Sequence, residues 1–109
     1  MRIRTFALAA LAAFLSWAVP AGVAAQADLL ADPHRPDAER ARDAGTRPLE
    51  IYRWMSIEPG MTVVDFIPAA GYNSHLLAGV VGESGTVLAA YTSEQGREAL
   101  EQRFGDAGL

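Results

Sequence analysis

Apolar residues follow two different spacings along this chain, and the spacing changes near Met61. The stretch MTVVDFI is continuously apolar except for Asp65 and rich in β-branched residues, which is typical of a strand covered on both faces of a parallel sheet. TVLAAY, residues 86–91, predicts a second short strand. Between the two, apolar residues recur at helical spacing from residue 76 until Gly82 ends the run. The pattern therefore predicts a β-α-β unit.

Two helices are predicted before the first strand. The segment PDAERARDAG has Pro36 near its start and Gly45 at its end, and a helix there would expose charge on nearly every side. This helix is either a solvated lead-in or a lid over a neighbouring site. The next helix, from Pro48 to about Ser56, carries an apolar stripe that we assign to the core, formed by Leu49, Ile51, Tyr52 and Met55.

A last helix is predicted after the second strand. TSEQ has the spacing of a capping box, with the Thr92 hydroxyl at the cap and Gln95 three residues on. Gly96, Leu100 and Phe104 then follow at helical spacing. The order α-α-β-α-β-α predicts an α/β fold that forms the first half of a right-handed, doubly wound parallel sheet. We therefore expect a partial, truncated domain that consists of β-α-β-α with leading helices.

The first 27 residues have the layout of an export signal. Arg2 and Arg4 precede an apolar run at residues 6–19, and small residues complete the segment. The run is shorter than the roughly 20 apolar residues that a membrane span requires. We therefore expect a cleaved signal rather than an anchor, a periplasmic or secreted protein, and membrane contact only through the uncleaved signal.

Removal of the predicted signal leaves 82 residues, which divide into a polar helical lead-in at 28–47 and a sheet-bearing part at 48–109. These residues carry seven arginines and all thirteen acidic residues, a net charge of −6. Such a charge disfavours a nucleic-acid partner. Because the chain has no cysteine, burial alone must stabilise the fold.

The turn from Asp65 to Tyr72 is the candidate binding site. A strand that ends in an acid, followed by a small-residue turn and a helix, presents backbone N–H groups to a nucleotide-like ligand. Gly71 permits a positive φ or a close backbone approach, and Ala69 is small enough to let a ligand near the main chain. Alternatively, Asp65 is a strand-end carboxylate that is satisfied within the protein.

In the order and spacing of these features, residues 35–91 resemble the N-terminal half of class I S-adenosylmethionine-dependent methyltransferases, in particular an exported bacterial group of predicted methyltransferases. The resemblance rests on an Arg-Asp leader, PGMTVVD, the P-x-x-G-Y turn and the strand ending near Tyr91. It implies a Rossmann-like sheet and S-adenosylmethionine as the cofactor. It also implies that Asp65, through the turn, orders the methionine end of the cofactor, with Gly71 and Tyr72 beside it.

The chain departs from the family's pattern in two places. The run D-x-G-x-G-x-G retains only its last glycine, Gly71, with Ile67 and Ala69 at the other two positions. Tyr91 stands where typical members have an acid that accepts both ribose hydroxyls, and a phenol is not a bidentate acceptor. Glu94 either substitutes for that acid or serves the following helix N-terminus.

The two histidines predict neither catalysis nor a metal set. We expect His34 to lie at the surface, and His75, beside Asn73 and Ser74, to face solvent or the mouth of the cleft. Catalytic residues are not identified, because chemistry in the resembled superfamily comes largely from residues after the fourth strand.

We therefore expect a methyltransferase-like protein that binds its cofactor weakly and is inactive as given, with an acceptor substrate that the sequence does not indicate. One alternative is a non-enzymatic secreted protein that self-associates through its open strand edge. Another is a different nucleotide-binding domain, which the missing glycines and the missing ribose acid disfavour.

Overall fold

The computed structural model describes residues 28–105, and the segment predicted as an export signal lies outside this range. A helical turn at residues 28–31 precedes the elements that form the fold. These are α1 Asp37–Thr46, α2 Pro48–Trp54, β1 Thr62–Phe66, α3 Tyr72–Val81, β2 Thr86–Ala90 and α4 Glu94–Phe104. The predicted α/β fold, with β-α-β-α after leading helices, is confirmed.

Backbone chemistry explains where the helices begin and end. Pro48 occupies the first turn of α2, where its missing N–H is not needed. Helix α3 begins directly after Gly71, whose φ is 89°, and ends at Gly82, whose φ is 67°. Both angles lie in the region that glycine adopts without steric cost. Helix α1 meets α2 at Arg47, which is itself left-handed.

Strands β1 and β2 pair in parallel, with Thr62 opposite Thr86. Helix α3 packs on one face of this sheet, where the Val87 side chain is buried. On the other face, Val64, Phe66 and Leu88 are 58%, 70% and 51% exposed. The prediction that the first strand is covered on both faces is therefore wrong for the part of the chain that the structure describes, because no described element packs on the second face.

The core lies between α2, α3 and the inner face of the sheet. Helix α2 contributes Leu49 and Tyr52 to it, as predicted, but Ile51 and Met55 are exposed. Met55 falls beyond the helix, because α2 ends at Trp54, and Ile51 lies on the exposed side of α2. The buried cluster consists of Leu49, Tyr52, Tyr72, Leu76, Leu77, Val80, Val81 and Val87.

The lead-in is docked rather than solvated. Arg35, just before α1, is only 1% exposed, and Glu39 on α1 is buried as well. The Arg35 guanidinium donates to both carboxylate oxygens of Asp43, at 2.8 and 2.7 Å, and Glu39 pairs with Arg103 of α4. The prediction that α1 exposes charge on nearly every side is wrong, because bidentate ion pairs offset the cost of burying these groups.

The start of α4 differs by one residue from the predicted capping box. Ser93, not Thr92, precedes the helix, and its hydroxyl accepts a hydrogen bond from the backbone N–H of Gly96 at 3.1 Å. The backbone at Ser93 is extended, with φ −142° and ψ 153°, as an N-cap requires. Gly96 therefore takes the position that the pattern assigned to Gln95.

Candidate functional site

The turn after β1 holds three alternate residues in the left-handed backbone region. The φ angles are 58° at Ile67, 50° at Ala69 and 89° at Gly71. These are the three positions at which the resembled family has glycine. A left-handed conformation costs a residue with a Cβ about 1–2 kcal/mol, and a β-branched residue is a clear outlier there. The turn therefore has glycine-like φ angles at two positions that are not glycine.

Asp65 lies near the carboxyl end of β1 with its side chain buried. The hydroxyl of Ser74, in the first turn of α3, donates a hydrogen bond to Asp65 Oδ2 at 2.6 Å. Among residues 28–105, no group donates a hydrogen bond to Oδ1. One carboxylate oxygen is therefore held by the protein, and the other can accept a donor from a ligand.

A cavity of about 350 Å³ adjoins Asp65, between α2 and the β1–α3 unit. Its volume is at the small end of the range for ligand pockets, which is roughly 300–1,000 Å³. Its wall contains polar side chains and apolar side chains from α2, β1, α3 and the loop between α2 and β1. The polar residues that line it are Arg42, Thr46, Tyr52, Asp65, Tyr72 and Asn73.

The two tyrosines in the cavity wall are hydrogen-bonded to the protein. The Tyr72 hydroxyl donates to Asp43 Oδ1 at 2.7 Å, and its ring lies against the Arg42 guanidinium, 4.4 Å from the ring centroid. The Tyr52 hydroxyl donates to Asn73 Oδ1 at 2.6 Å. Burial raises the pKa of both phenols, so they stay protonated donors. They shape the cavity rather than supply a titrating group.

Gly71 faces α4 closely. A Cβ at Gly71 would lie 2.6 and 2.8 Å from two ring atoms of Phe104, so a larger residue would have to displace this ring. Arg103 donates a hydrogen bond to the Ala70 carbonyl at 2.7 Å. Ala69, by contrast, is exposed. The last turn of α4 therefore covers one side of the turn and leaves Ala69 open.

Tyr91 lies apart from the Asp65 cavity. It is 48% exposed and lines a separate groove along β2, together with Leu100 and Phe104 of α4. Glu94 sits in the first turn of α4 and pairs with Arg97, which places it at the helix N-terminus. The structure thus brings Asp65 and Tyr72 together and separates them from Tyr91.

The two histidines converge on Asp32. His75 Nε2 lies 2.8 Å from Asp32 Oδ2, and His34 Nδ1 lies 2.9 Å from Oδ1. His34 is exposed, as predicted, but the prediction that His75 faces solvent or the cleft mouth is wrong, because its ring packs between Asp32 and Phe104. The backbone N–H of His34, followed by the His75 ring, holds the pKa of Asp32 well below its usual range.

No three His, Asp or Glu residues of the described range form a metal-binding group. Within the same range, no helix is long and apolar enough to cross a membrane.

Sequence reasoning missed Arg42 and Tyr52 as cavity residues, and the Arg35–Asp43 pair that supports Tyr72. Arg42 and Asp43 lie on a helix whose charges gave no sign of burial, and Tyr52 was assigned only to the core. Their roles depend on contacts with residues about 20 to 30 positions away, such as the hydrogen bond between Tyr72 and Asp43. No local pattern marks such contacts.

In comparisons with known proteins, no family model, no curated protein and no solved structure matches this chain.

Proposed function

We propose that the turn from Asp65 to Tyr72 binds the methionine end of S-adenosylmethionine, as part of a methyltransferase-like unit. The carboxylate of Asp65 is the observation that carries the proposal. It is buried at the end of β1, with one oxygen held by Ser74 and the other without a donor from residues 28–105, beside a cavity of about 350 Å³. A carboxylate in this position is an acceptor for an ammonium group.

Two further features support this end of the site. Arg42 lines the same cavity as Asp65, so the cavity offers opposite charges to the amino and carboxylate groups of an amino-acid ligand. The left-handed backbone at Ile67 and Ala69 follows the path that lets a ligand approach the main chain. These features fit the methionine end of the cofactor.

The residues expected to bind the ribose of S-adenosylmethionine support the proposal less well. Tyr91 lines a different groove, and Phe104 covers the Gly71 side of the turn. Bound S-adenosylmethionine would supply an activated methyl group, whose transfer depends on in-line alignment with an acceptor. No residue of the described range is assigned to the acceptor. We therefore expect weak cofactor binding and no methyl transfer by this chain alone.

Isothermal titration calorimetry of the purified chain with S-adenosylmethionine tests the proposal. We expect a Kd of about 0.1 to 1 mM, equivalent to roughly −5.5 to −4.1 kcal/mol. Asp65→Asn keeps the shape of the side chain but removes its charge, and a lost charge-assisted hydrogen bond of about 1.5–3 kcal/mol should weaken binding at least about tenfold.

The matched control is Glu83→Gln, which removes an exposed charge just beyond the far end of α3. It should leave the affinity unchanged. Circular dichroism of Asp65→Asn must show the wild-type spectrum, so that lost binding is not lost folding. The proposal would be contradicted if the wild-type chain did not bind at cofactor concentrations well above the expected Kd. It would also be contradicted if Asp65→Asn bound the cofactor with the affinity of the wild type.

A further inference from the structure

One face of the two-stranded sheet is uncovered. We call it the open sheet face and define it by Val64, Phe66 and Leu88. Val64 and Leu88 lie opposite each other in the strand register, and Phe66 lies opposite Ala90. All three named side chains are more than half exposed. Parallel strands are rarely left with such a face in contact with water.

The apolar surface continues beyond the sheet. Val64 also lines the Asp65 cavity, together with Ile51 of α2 and Met55 just beyond it, and both of these side chains are exposed. Apolar residues scattered singly over a surface are ordinary, but a contiguous apolar patch marks an interaction site. The patch therefore indicates a surface that another molecule covers.

The open sheet face carries no charge. Side chains alternate along a strand, so Thr62 and Thr86 also point to this side, and every side chain on it is uncharged. A partner recognised through charge would find no complementary group here. Two copies of a chain with excess negative charge can meet at this face without like-charge repulsion.

We propose that the open sheet face packs against the same face of a second copy of this chain. The contact is isologous, so each copy presents the same side chains about a two-fold axis, and the two sheets lie face to face about 10 Å apart. A sheet of two strands is marginal by itself, and the second copy supplies the missing layer. The proposal does not rest on cofactor binding.

The contact is at the face rather than at a strand edge. The outer edge of β1 borders the cavity that α2 encloses, and the outer edge of β2 borders the groove that α4 encloses. A strand that paired with either edge would have to enter the cavity or the groove and move past the helix that borders it. The face needs no such rearrangement.

Sedimentation equilibrium of the purified chain over a concentration series tests the proposal. We expect a dimer in the wild type. Phe66→Thr combined with Leu88→Thr removes most of the apolar surface but retains β-branched residues that favour strands, and it should raise the dimer Kd at least about tenfold. Trp54→Ala is the matched control, because Trp54 is an exposed aromatic residue at the end of α2 and lines a different groove that contains no strand residue. It should change the Kd less than about twofold. A monomer at every concentration, or equal weakening by the control, would overturn the proposal.

A crosslinking experiment tests the geometry independently. The chain has no cysteine, so a single substitution provides a unique thiol. Phe66→Cys near the two-fold axis should form a disulfide-linked dimer under mild oxidation far faster than Gln102→Cys, which lies on the exposed side of α4. Equal rates for the two variants would exclude the face-to-face arrangement.

Discussion

At the scale of single residues, the turn after β1 combines glycine-like backbone angles with larger side chains. Ile67 and Ala69 both have a positive φ, whereas Ala70, which lies between Ala69 and Gly71, does not. The backbone N–H of Ile67 donates to the Ala90 carbonyl at 2.9 Å, so the ladder of the sheet extends into the turn and holds Ile67 in place. The sheet and α3 thus impose a conformation that these side chains disfavour.

Glycine at the left-handed positions should therefore stabilise the protein. Relief of a left-handed conformation is worth about 1–2 kcal/mol, and the greater chain entropy of glycine offsets about 0.5–1 kcal/mol. We expect Ala69→Gly to raise the free energy of unfolding by about 0.5–1 kcal/mol and Ile67→Gly by at least as much, since Ile67 is exposed. Urea denaturation measures the change. Ala70→Gly is the control and should be destabilising; stabilisation by all three would show that backbone strain is not the cause.

At the scale of elements, most of the fold follows from local pattern. The strands, α3 and the position of Asp65 at the end of β1 were predictable, because periodicity and turn residues act over a few positions. The exposure of the second face of β1 was not predictable, because a continuous apolar run does not show whether another element covers each face of the strand. The exposure of Met55 was missed because α2 ends earlier than its spacing indicated.

The cap of α4 provides a test at this scale. Ser93→Ala removes the hydroxyl that accepts from the Gly96 N–H and should cost about 1 kcal/mol. Thr92→Ala alters the neighbouring hydroxyl, which makes no cap hydrogen bond to the described helix, and should change stability by only a few tenths of a kcal/mol. Thermal unfolding should separate the two variants, since about 1 kcal/mol shifts the Tm of a domain of this size by roughly 4–8 °C. A larger loss of stability in Thr92→Ala than in Ser93→Ala would instead support Thr92 as the cap, as the sequence predicted.

At the scale of the whole molecule, ion pairs join parts that are far apart in sequence. Arg35 binds Asp43, which also accepts from Tyr72 at the start of α3, and Glu39 binds Arg103 at the end of α4. The lead-in is therefore held to both α3 and α4. Single-sequence reasoning could not find this network, because each charge by itself fits an exposed helix and only the tertiary fold brings the partners together.

The network should make the protein sensitive to acid. Hydrogen bonding from Arg35 lowers the pKa of Asp43, with a smaller effect in the same direction from Tyr72. The folded-state pKa is thus below the unfolded value of about 3.9, so the unfolded chain binds more protons as the pH falls. This contribution to stability is complete above the unfolded pKa and is lost as the pH falls through the folded pKa. Stability should therefore fall as the pH drops below about 5.

Asp43→Asn tests this prediction against Glu50→Gln. Pairing with Arg47 also lowers the pKa of Glu50, but that pair is exposed, whereas the Arg35 side chain is fully buried. In about 1 M salt, where the screening length is about 3 Å, only the buried pair should still contribute. We expect Asp43→Asn to be less stable than the wild type at pH 7 and to show a shallower loss of stability between pH 5 and 3, as measured by urea denaturation. Glu50→Gln should match the wild-type slope at this salt concentration. If Asp43→Asn keeps the wild-type slope, the Arg35–Asp43 pair does not link folding to protonation.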